Sequence, residues 1–139
     1  MRVPRFIIPE FALKPVRQVE IPFRIAVPTL GYRSVVSGLV SYPFKVVQAK
    51  MVFSEEANNL VEHGWFTDIN DGVSTTGPPP GDNIFGREGA GAYFTGKGVV
   101  KTANTNVEFP TYGLYIKFYT FNGCAYAYTA NGSIVIQQI

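Results

Sequence analysis

Charge is scarce in this chain: Asp, Glu, Lys and Arg make up 16% of its 139 residues, where a soluble domain ordinarily carries about a quarter. There is one cysteine, Cys124, one histidine, His63, and one tryptophan, Trp65. A lone cysteine rules out an intrachain disulfide, nothing points to an oxidising compartment, and a buried, inert thiol is expected at Cys124. A lone histidine excludes a His-rich metal site. It also leaves any Ser–His–Asp or Cys–His chemistry dependent on His63, and no serine sits in a nucleophile elbow; His63 is expected to be a surface or a hydrogen-bonded residue. No segment approaches the roughly 18 apolar residues of a membrane helix, and no charged region followed by an unbroken apolar run marks a signal peptide. The expectation is a soluble protein that is not secreted by the standard route. No βαβ pattern and no repeat of fixed period are visible.

Proline, glycine and aromatics are plentiful, with 10 Pro, 14 Gly and 14% Phe, Trp and Tyr in a 46% hydrophobic chain. A length of 139 residues suits one domain with one core. Prolines at 4, 9, 15 and 22 punctuate "PRFIIPEFALKPVRQVEIPF". Proline lacks the N–H that a helix or a central strand requires and holds its predecessor extended. Residues 1–18 therefore read as an extended arm carrying Arg5, Phe6, Ile7, Ile8, Phe11, Leu13 and Arg17, followed by a single domain over 19–139. Residues 1–33 hold six basic residues against two acidic ones, although the whole chain is only +2, so a basic arm precedes a slightly acidic body. Its basic residues alternate with apolar ones rather than forming runs, which favours a protein neighbour over nucleic acid; contact with packaged nucleic acid through the arm stays open.

"VEIPFRIAV" alternates, with Val19, Ile21, Phe23, Ile25 and Val27 on one face, and Pro22 on the other face marks an edge or a bulge. "RSVVSGLVSYPF" reads as a second strand broken at Gly38. "KVVQAKMVF" reads as a third, with Val47, Ala49, Met51 and Phe53 inward. "SEEANNLVEHG" is expected to form a loop with room for one helical turn before a strand from "LVEHGWFTDI". "NDGVSTTGPPPGDN" is a long loop stiffened by Pro78, Pro79 and Pro80, and loops of this length usually serve function or meet a neighbour. A glycine-rich segment follows. "YGLYIKFYTF", a turn at Asn122-Gly123, "CAYAYT", a turn at Asn131-Gly132 and "SIVIQQI" predict a terminal β-meander. Asn131-Gly132-Ser133 also matches a glycosylation sequon, but the turn reading is preferred. Together these elements predict an all-β, antiparallel sandwich or barrel, jelly-roll-like, bearing an N-terminal arm.

Several chemistries fail on spacing. "GAYFTGKG" has Gly98 where a phosphate loop needs Ser or Thr, and no helix follows it. Asp68, Asn70 and Asp71 resemble the start of a calcium loop, but Gly72 takes the place of the third ligand, so a turn is expected. Glu55 and Glu56 are adjacent, which gives no catalytic separation. No cofactor, no metal and no enzymatic activity are expected. Tyr115 and Tyr119 share a strand face with Lys117, opposite Leu114, Ile116 and Phe118. With Trp65 they form a candidate interface or sugar-stacking face.

The combination of the arm "RFIIPEFALKPVRQ", the strand "IPFRIAV", the loop "GPPPGDN" and the terminal "GLYIKFYTFNG" resembles small β-sandwich structural proteins of bacterial or archaeal viruses, such as capsid decoration proteins and single jelly-roll or minor capsid components. The resemblance is one of architecture and carries over no functional residue. It implies a virion protein that forms a trimer or a larger symmetric array with copies of itself and meets a major capsid protein. Two alternatives stand beside it: a carbohydrate- or receptor-binding module, and a filament subunit joined by donor strands.

Overall fold

The computed structural model describes residues 17–88 and 93–139. Nine strands run in chain order: β1 (Gln18–Val27), β2 (Tyr32–Val36), β3 (Phe44–Phe53), β4 (Val61–Asp68), β5 (Asp82–Asn83), β6 (Val99–Asn104), β7 (Glu108–Phe109), β8 (Tyr115–Asn122) and β9 (Tyr128–Gln138). Short 3-10 turns occupy Glu55–Ala57 and Phe85–Glu88.

The pairing explains the architecture. β1 pairs with β9, β2 with β8, β3 with β6 and β4 with β5, all antiparallel, so the first half of the chain lies against the second as one long ribbon. Folding the ribbon over itself sends alternate pairs into opposite sheets. New contacts between β3 and β9 and between β4 and β8 then close the sheets, giving the orders β1-β9-β3-β6, with β7 beside β3, and β2-β8-β4-β5. This is the jelly roll, an antiparallel β-sandwich built from two Greek keys.

The core lies between the sheets. Phe118 of β8 stands at its centre, with its ring 4.6 Å from Trp65, 4.8 Å from His63 and 6.0 Å from Phe23. Opposite these, β9 presents Ala130, Gly132, Ile134 and Ile136. A Cβ on Gly132 would approach Phe118 Cζ to 3.0 Å, so glycine is what lets this ring reach the facing sheet. Asn131-Gly132 therefore lies within β9, where Asn131 pairs with Arg24 and Gly132 with Phe23, and is not the turn expected from its sequence. The expected meander is corrected with it. β8 and β9 belong to different sheets, residues 123–127 cross between them, and only the last two residues of "CAYAYT" are strand.

Other corrections are local. Val19 is exposed on β1, although Phe23 and Val27 point inward as expected, and β1 is a sheet edge that accommodates Pro22. In β3 the pairing with β9 slips between Val46 and Gln48, so Val47 is an extra residue that resets the alternation. Phe44 and Val46 are therefore buried on one side of the bulge and Ala49, Met51 and Phe53 on the other, with Val47 left half-buried. β6, from "VVKTAN", was not anticipated, because its side chains are nearly all exposed and carry no alternating signal. β1 begins one residue inside the expected arm.

Candidate functional site

The candidate aromatic face on β8 turns out to be covered by the protein itself. Lys117 and Tyr119 are buried, and Tyr115 is half-buried. Tyr119 stacks on Tyr32 at 6.4 Å and meets Phe66 at 6.2 Å and Tyr93 at 5.7 Å, both edge-on. Gly64 makes room for this cover, since a Cβ there would come within 3.0 Å of the Tyr93 ring. The Tyr119 hydroxyl donates to Glu62 Oε1 at 3.4 Å, and burial, reinforced by the Glu62 carboxylate, pushes its pKa up. Trp65 points the other way, fully buried in the core, with no partner for its Nε1–H. The four residues expected to share one binding face are thus divided between a covered outer surface and the interior.

His63 is buried as well. Its Nδ1 lies 2.9 Å from Thr120 Oγ1, its ring packs between Phe53 and Phe118, and Nε2 has no partner. Burial lowers its pKa to about 4, so it stays a neutral ring at physiological pH. Cys124 is buried with its thiol directed at the carbonyls of Glu56 and Ala57. No group of three or more His, Cys, Asp or Glu is placed to hold a metal ion among the described residues.

The loops divide between the two ends of the sandwich. One end gathers residues 28–31, 54–60 and 123–127 around the buried side chain of Asn122. Its amide donates to the carbonyls of Val27, Pro28 and Tyr126, and its Oδ1 accepts from Cys124 N–H. Leu60 O accepts from Gly123 N–H, and the Thr29 hydroxyl donates to Cys124 O. All three described non-glycine residues with positive φ lie here: Leu30 at 56°, Asn58 at 47° and Asn59 at 60°. Left-handed geometry is ordinary for asparagine and strained for leucine.

The opposite end is where β1 enters the fold and β9 leaves it, since Gln18 pairs with Gln137 and Gln138 N–H donates to Arg17 O. Lys117 holds it together. This fully buried ammonium donates to Asp68 Oδ2 and to Pro80 O, each at 2.9 Å, and so ties β8 to both bases of the 69–81 loop. The Lys117 hydrogen bond holds the Asp68 carboxyl below its ordinary range. Of the expected interface prolines, Pro79 is buried while Pro78 and Pro80 are exposed. Beside this tether a cleft of about 410 Å³ opens between Thr67, Asp68, Ile69 and Asp82 on one wall and Pro110 and Leu114 on the other. Large apolar side chains around it face solvent, Ile69 at 70% and Tyr112 at 73% exposure. The sequence marked the long proline loop but not the cleft, because the facing wall comes from a separate loop, residues 110–114.

A second concavity, of about 450 Å³, lies on the outer face of the β1-β9-β3-β6 sheet between Arg24, Lys50 and Ser133. It is shallow, and the Ser133 hydroxyl is already engaged with Glu20. The arm residues Arg5, Phe6, Ile7, Ile8, Phe11 and Leu13 lie outside the described residues; Arg17 lies within them and is exposed.

No protein family and no curated protein matches the sequence. Solved structures do. A chain in a structure of the Gt strain of infectious bursal disease virus superposes on 88% of this chain with a TM-score of 0.51 at 12% identity, using 32% of its own length. Chains of that virus's VP2 subviral particle and of its Gx strain superpose on 90% and 89% of this chain, with TM-scores of 0.47 and 0.45, identities of 9% and 12%, and 33% and 32% of their own lengths. The chain spans about a third of the length of the structures it matches. The likeness is one of fold, a β-sandwich of a kind found in a virus particle.

Proposed function

We propose that this protein is a non-catalytic structural component of a virus particle. It builds or coats the particle as a symmetric array of copies, joined through its N-terminal arm and docked on a major capsid protein as a decoration or minor component. The observation that carries this reading is the ribbon topology of β1 to β9, an architecture common in capsid proteins and shared along most of the chain with a virus-particle protein. Two features support it. A chain so poor in charge leaves a largely neutral surface, which suits assembly better than free diffusion. The segment before β1 concentrates apolar and basic residues, which suits it to a protein neighbour. The carbohydrate-binding alternative loses support, because Trp65 and Tyr119 are buried and the exposed Tyr112 and Tyr126 sit at opposite ends.

The test is the solution mass of the full chain beside a chain lacking residues 1–16, by light scattering, with near-ultraviolet circular dichroism as the check on folding. An oligomer that becomes a folded monomer on truncation is the expected result. Full-length and truncated chains of equal mass would end the arm-assembly reading.

A further inference from the structure

We infer that the cleft between the 69–81 loop and the 110–114 segment is the receptor for the N-terminal arm of a second copy of this chain, taking the stretch around Arg5 to Leu13. The inference rests on the assembly role proposed above and assigns it a place.

Three observations converge on it. The first is chemical fit. The cleft wall carries the exposed carboxylate of Asp82 and the apolar surfaces of Ile69, Pro110 and Leu114, with Asp68 already neutralised by Lys117. The arm carries Phe6, Ile7, Ile8, Phe11 and Leu13 flanked by Arg2, Arg5 and Lys14, with Glu10 between them, so Arg5 is the cation of the docking stretch that meets Asp82. An apolar floor with an acidic rim is complementary to an apolar strand with basic residues near its ends.

The second is direction. Arg17 O accepts from Gln138 N–H, so the described chain enters β1 at this end of the sandwich, in line with the strand. Turning back onto its own cleft would require a reversal. Residues 1–16 contain no Gly, Asn, Asp, Ser or Thr, which together with proline are the usual residues of tight turns. The third is reach. Sixteen residues, if extended, would span about 50 Å, beyond the roughly 35 Å diameter of a body this size, which is long enough to reach a neighbour. Because β1 begins and the cleft opens at the same end, copies related by a two-fold axis near that end are placed to exchange arms reciprocally.

Charge exchange between chains tests this in the full-length protein. Asp82→Lys and Arg5→Glu, each alone, are expected to weaken self-association at least tenfold by light scattering, with circular dichroism unchanged. An equimolar mixture of the two variants is expected to regain the wild-type mass, because each arm then finds an opposite charge only on the other chain. Wild-type mass in both single variants overturns the cleft as receptor. A mixture that stays dissociated, while a chain carrying both substitutions assembles, overturns exchange and places the arm on its own body. Should deletion of residues 1–16 disperse the assembly while the charge variants leave it intact, the arm docks elsewhere and the assembly reading survives. A deletion without effect defeats both.

Discussion

The two ends of the sandwich solve the same problem with different chemistry. At the Asn122 end, one neutral amide joins the 28–31 and 123–127 loops by satisfying three carbonyls and one N–H, and the second of these loops is bonded in turn to 54–60. At the Lys117 end, one buried cation holds the long proline loop through a carboxylate and a carbonyl. The amide network binds its loops to one another and includes strained backbone at Leu30. The ammonium reaches only the bases of its loop, leaving the intervening residues and the adjoining cleft open. A neutral network binds loops to one another, whereas a single charged anchor fixes a loop and leaves room beside it.

This contrast predicts asymmetric responses. Asp68→Ala removes the carboxylate facing a fully buried ammonium, and an unpaired buried charge is costly. We expect a loss of about 3 kcal/mol by urea unfolding, with hydrogen exchange rising in residues 69–81 and remaining unchanged in 28–31 and 54–60. Equal exchange at both ends would break the comparison. Asn122→Ala strands Cys124 N–H and the carbonyls of Val27 and Tyr126; it should cost about 2 kcal/mol and raise exchange at the other end only. The smallest effect sharpens the point about strain. Leu30→Gly removes an exposed side chain from a left-handed site, and relief of that strain should exceed the extra chain entropy, raising stability by roughly 0.5 kcal/mol. A measured loss would mean that Leu30 is supported by contacts and not strained.

The sequence made legible whatever depends on alternation within one strand. β1, the inward face of β8 and the all-β class follow from local pattern, and the helical turn at Glu55–Ala57 follows from its acidic start. Pairings decided by distant residues were illegible. Asn131-Gly132 has the composition of a tight turn, yet Phe118 on the opposite sheet requires a glycine there, and a packed core outweighs turn propensity. The tyrosine face looked open because the covering Tyr93 lies on another segment, fitted over a glycine whose role no local pattern announces. Lys117 looked like an outward charge because its partner Asp68 sits 49 residues earlier. The cleft left no trace for the same reason: its lining residues are spread over loops that only the ribbon brings together.

The adjacency of Gln18 and Gln137 has a genetic consequence. A domain whose first and last strands lie side by side can be spliced into a host loop at a single point without pulling that loop apart, and it can be cut open at a surface turn with its old ends rejoined. Such a unit can be moved as a cassette. The same ribbon is geometrically able to occupy about a third of a longer chain, as it does in the structure it superposes on.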